Sequence, residues 1–111
     1  MPAVPNPLLN IKMISIKVHK SYRAVIAICD SNLIGKKFEE NSKQLDLRES
    51  FFKDKEFSKK EAMNLMKKYE KEDATFNIVG KESIDAAIEA GIVNEKCIMK
   101  VKSIPFALVL L

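Results

Sequence analysis

The sequence predicts a single α+β domain, built as a mixed or antiparallel sheet with two main helices. Three observations predict it. Apolar residues alternate with polar ones over 11–19 and again over 43–50, the period of a half-buried strand. Apolar residues recur at helical spacing over 59–72 and 81–90, the stripe of a helix packed on a sheet. Runs of strands separated by only two solid helices do not make a doubly wound sheet. A chain of 111 residues has room for one such domain. With 47% hydrophobic and 31% charged residues it has enough apolar surface for a core.

The elements follow in order. Residues 1–10 hold Pro2, Pro5 and Pro7 and read as an extended arm, because proline removes a donor and fixes φ. Residues 11–111 form the domain. In the first strand Ile14, Ile16 and Val18 point one way, and Met13, Ser15, Lys17 and His19 the other. Lys20 and Ser21 allow a turn. The return strand runs from Tyr22 to Cys29 and is apolar on both faces from Ala24. Asp30 is expected to cap or turn the segment that follows it, and Gly35 to end that segment. Leu45 and Leu47 face inward, and Phe51, Phe52 and Phe57 anchor a loop. Ser58 and Glu61 are spaced as a capping box, opening a helix to about Glu72 that buries Ala62, Leu65, Met66 and Tyr69. Thr75–Val79 is a short apolar segment, strand or extended, and Gly80 breaks it. A helix from Lys81 to Ala90 buries Ile84, Ala87 and Ile88, with Gly91 as its left-handed cap. Cys97–Lys102 and Phe106–Leu110 close the sheet, and the run from Phe106 to Leu111 reads as a buried strand.

Several function classes fall away. No run reaches the ~18 apolar residues of a membrane span. One histidine and two separated cysteines cannot close a zinc site of Cys and His, so neither a metal nor a cofactor is expected. Cys29 and Cys97 are both expected in the core as reduced thiols of a cytoplasmic protein. Asp30 ends an apolar strand, where functional residues often sit. Cys29 and His19 form the one conceivable thiol–imidazole couple. Gly80-Lys81-Glu82-Ser83 opens a helix without the spacing of a P-loop.

The charge is the more informative feature. The chain carries +4 in total. Residues 1–35 carry four basic residues against the single acid Asp30. Residues 36–73 hold eleven basic and ten acidic residues, and residues 74–111 four of each. The excess therefore lies on the first hairpin. Lys12, Lys17, His19, Lys20 and Arg23, followed by Lys36 and Lys37, are the candidate RNA-binding residues, since a basic patch attracts polyanions by counterion release. With two arginines in the chain, bidentate readout is a minor part of the expectation.

Ile28-Cys29-Asp30, then Leu33-Ile34-Gly35-Lys36, Phe38 and Glu39 resemble the opening signature of the archaeal domain of unknown function family 424. Glu49-Ser50-Phe51-Phe52, Asn77 to Ile84, Ala87 to Ile92 and Ile104-Pro105-Phe106-Ala107 follow in that family's order. The resemblance spans about residues 13–110. It implies a small α+β protein with no established reaction and a connection to translation, because members tend to sit near translation genes. This chain departs from the family at Phe52, usually a tyrosine, and at Phe106, often a histidine. It also has Lys53-Asp54-Lys55 where the family loop is usually glycine-rich, and it adds the proline-rich arm. Two polar-to-apolar changes favour binding over catalysis. The expectation is a non-enzymatic, translation-associated protein that binds ribosomal RNA or a ribosomal subunit beside neighbouring ribosomal proteins, a candidate large-subunit component. The alternatives are a small hydrolase or nucleotide-binding enzyme using Asp30 and the Gly80–Ser83 turn, and a protein-binding adaptor anchored by Leu8 and Leu9.

Overall fold

The computed structural model describes residues 12–110; the arm, Ile11 and Leu111 lie outside the described residues. Six strands form a mixed sheet: β1 (Ile14–His19), β2 (Val25–Asp30), β5 (Lys55–Phe57), β6 (Thr75–Val79), β7 (Met99–Val101) and β8 (Ile104–Val109). Their order is β5-β1-β2-β6-β8-β7. The central pair, β2 and β6, is parallel and every other pair is antiparallel. A second, two-stranded sheet joins β3 (Lys37–Glu40) to β4 (Lys43–Asp46). The helices are α1 (Glu49–Phe52), α2 (Lys59–Lys71) and α3 (Lys81–Glu89). The chain is α+β, as the alternation and the two helical stripes predict.

The alternation of β1 divides the core. Ile14 and Ile16 pack with Ile26, Ile28, Phe76 and Ile78 beneath α2 and α3. The opposite face packs Ala27, Cys29, Val79 and Val101 against Leu45 of β4, Leu47 just after it, and Phe52 of α1. The capping box of α2 is present: Ser58 Oγ accepts from the Glu61 N–H, and the Glu61 carboxylate accepts from the Ser58 N–H. Ala62 and Met66 are buried while Leu65 and Tyr69 are half-buried against the same core. Gly91 adopts φ 77° after α3, as a left-handed cap requires.

Four expectations need correction. The return strand begins at Val25, so Tyr22 and Arg23 belong to the turn. The C-terminal run is not a buried strand: Leu108 and Leu110 are 50% and 67% exposed. Their side of β8 lies past the reach of the small second layer, which covers only part of that face. Cys97 is exposed, because it sits in a one-turn 3-10 helix before β7 rather than in a strand. Residues 49–57 are more than an anchored loop, since they form α1 and the edge strand β5.

Candidate functional site

The basic stretch of the sequence becomes the β1–β2 hairpin, whose one acid, Asp30, is the last residue of β2. The two strands are in register from Ile14 opposite Asp30 to His19 opposite Val25. Five residues, Lys20 to Ala24, join them. Ala24 C=O accepts from the Thr75 N–H at 3.0 Å, fixing the base of the turn to β6. The Ser21 hydroxyl donates to the Arg23 carbonyl inside the turn. Lys20, Ser21, Tyr22 and Arg23 are exposed.

The candidate basic residues separate into four places. Lys20 and Arg23 stand at the hairpin tip. Lys17 and His19 lie on the face toward α1. The Lys17 ammonium donates to Ser50 C=O at 2.8 Å, and His19 Nε2 sits 2.8 Å from Phe51 C=O. A carbonyl only accepts, so His19 carries its proton on Nε2 in this contact. The ring stacks on Phe51 at 4.5 Å between centroids and 17° between planes. Both side chains meet carbonyls at the end of the single turn of α1, which have no partner within the helix. They stay partly exposed, but they also tether α1. Lys12 lies at the other end of β1, eight residues and about 26 Å of strand from Lys20, paired with Glu82 at 3.4 Å. Lys36 and Lys37 enter β3 after the chain has left the main sheet, with Lys37 paired to Glu39 at 3.4 Å. The seven therefore do not converge on one point.

A second region forms where β2 and β6 end side by side. The chain leaves β2 toward the β3–β4 layer and leaves β6 into α3 on the opposite face. Such a divergence opens a crevice at the carboxyl ends of parallel strands. Here it is a cavity of about 590 Å³, lined by Lys12, Asp30, Ser31, Glu56, Lys81 and Glu82 among others. Asp30 is 6% exposed. Its carboxylate accepts from Glu82 N–H at 3.1 Å, Ser83 N–H at 2.8 Å and Ser83 Oγ at 2.7 Å. Burial pushes its carboxyl above the usual aspartate range, and the three hydrogen bonds oppose that shift without cancelling it.

Asp30 thus caps a helix, but a distant one. Its side chain makes no cap bond to the 3-10 turn that follows it, and instead caps α3, about fifty residues further on. Asp30 and the Gly80–Ser83 turn do come together, yet each occupies the other: the amide groups that would receive an anion at 82 and 83 already receive the Asp30 carboxylate. Ser83 is fully buried. Cys29 and His19 stay apart, paired four positions from one another along the hairpin. Burial, helped by the Asp30 charge, pushes the Cys29 thiol up to about 12, which makes it a poor nucleophile.

Among the described residues no cluster of His, Cys, Asp and Glu could hold a metal ion, and no helix is long and apolar enough to cross a membrane. The family described as "Protein of unknown function (DUF424)" matches residues 18–111. The crystal structure of an uncharacterized conserved protein from Methanopyrus kandleri is similar, with a TM-score of 0.76 and 18% identity over 87% of this chain and 90% of that one. At that identity the likeness is one of fold. No curated protein matches the sequence.

Proposed function

The chain belongs to the DUF424 family, and from that premise we propose that it is a non-enzymatic, cytoplasmic RNA-binding protein of the translation apparatus, docking peripherally on ribosomal RNA. The observation that carries this reading is the first hairpin. No acidic residue precedes Asp30 in the sequence, and the hairpin ends in a turn that exposes Lys20 and Arg23. A cationic projection anchored on a rigid sheet suits a phosphate-dense surface, where released counterions drive association. Members of the family tend to sit near translation genes, which supports the ribosome as that surface. Asp30, the residue an enzyme would draw on, has its oxygens engaged in capping α3, which favours a structural role for it.

Sedimentation of lysate from an archaeon expressing the chain tests the proposal. The protein should travel with ribosomal particles at low salt and move to the top fractions at high salt. A chain found only in the top fractions at low salt would leave the protein-binding adaptor as the better account.

A further inference from the structure

We infer that Tyr22 is a base-stacking residue, and that the hairpin tip recognises unpaired RNA rather than duplex. This rests on the RNA-binding reading and deepens it. Tyr22 is fully exposed, at 106% of its reference surface. The chain's other tyrosine, Tyr69, is half-buried against the core. A phenol ring held wholly in water contributes nothing to packing, so its stability role is close to nil.

Three features around it point to a nucleic acid. Lys20 and Arg23 flank it within the same turn, so a ring and two cations project together. The Ser21 hydroxyl closes on Arg23 C=O and Ala24 is bonded to β6, which restrains the turn and lowers the ordering cost of binding. The C-terminal end of α2 brings Lys68 and Lys71 to this end of the sheet, because α2 leads directly into the start of β6 beside the turn. Glu70, Glu72 and Asp73 come with them, three acids against the four cations Lys20, Arg23, Lys68 and Lys71. An exposed aromatic with cations on either side is how single strands are bound without sequence readout: the ring takes a base and the cations take neighbouring phosphates. A duplex offers phosphates but keeps its bases stacked within the helix, so it would use Lys20 and Arg23 and leave Tyr22 idle.

The test uses the full chain with a short unstructured oligoribonucleotide carrying a fluorescent base analogue, and with the same strand annealed to its complement. The wild type should bind the single strand more tightly than the duplex and quench the analogue. Tyr22→Phe, which keeps the ring, should retain affinity and quenching. Tyr22→Ala should lose affinity on the order of ten-fold, lose the quenching, and keep the wild-type circular dichroism spectrum. If Tyr22→Ala binds and quenches like the wild type, or if duplex is bound as tightly as single strand, stacking is overturned while the RNA-binding proposal stands. If the wild type binds neither RNA at low salt, both fail.

Discussion

Replacing Gly80 by alanine should be among the most damaging single-methyl additions in this fold. Gly80 sits between β6 and α3 at φ 108° and ψ 154°, a region that only glycine occupies without strain, at a cost of about 1–3 kcal/mol for other residues. A Cβ there would lie 2.3 Å from Asp30 Cγ and 2.6 Å from both carboxylate oxygens. A free side chain would swing aside, but this one is held by three hydrogen bonds to the first turn of α3. Losing that cap costs about a further 1–2 kcal/mol, so the total is about 2–5 kcal/mol. For a domain of this size that lowers Tm by roughly 10 °C or more. Gly91→Ala is the control: φ is 77° but nothing lies within 4 Å of the new Cβ, so only about 1 kcal/mol of backbone strain is expected. Urea denaturation followed by circular dichroism measures both. In an Asp30→Ala background the carboxylate is gone, and Gly80→Ala should cost only its backbone part. If the two glycine variants lose equal stability, or if Gly80→Ala costs the same with and without Asp30, the packing argument at the β2–β6 crevice is wrong.

Two further outcomes follow from the same geometry. A thiol reagent at neutral pH should modify one cysteine of the native protein, exposed Cys97, and reach Cys29 only on unfolding; two fast native thiols would contradict the burial that raises Cys29. The Asp30 carboxyl, followed by NMR, should titrate above the ordinary 3.8. The folded state then binds a proton more readily than the unfolded one, so this group's contribution to stability is fully present below 3.8 and is lost as pH rises through the raised value. A midpoint at or below 3.8 would mean that the hydrogen bonds from 82 and 83 outweigh burial.

The parts of the fold legible in the sequence were those with their own periodicity. Ile14-Ile16-Val18 set the face of β1, the Ser58–Glu61 pair set the start of α2, and Gly91 set the end of α3. The small elements were not legible because tertiary pairing stabilises them. Lys55–Phe57 contains one apolar residue and is a strand only because β1 lies beside it. Glu49–Phe52 is a single turn secured by Phe52, Lys17 and His19. Leu108 and Leu110 belong to a six-residue apolar run, and composition could not show that the second layer stops short of them. The cap formed by Asp30 depends on two strands meeting in parallel, which local spacing does not encode. The apolar run from Tyr22 to Cys29 assigns Tyr22 to a strand, and the signal that sets it apart is its place between Lys20 and Arg23. The basic hairpin itself was legible from the absence of acids before Asp30, but not the separation of Lys12 from the tip.

The most direct measurement of RNA binding is the affinity of the full chain for ribosomal RNA as a function of salt. If Lys20, Arg23 and the neighbouring lysines neutralise three or so phosphates, log K should fall with log salt at a slope of about −2 to −3. Lys20→Ala with Arg23→Ala should make that slope shallower by one to two. Affinity that is absent at low salt, or that does not change with salt, would contradict the account.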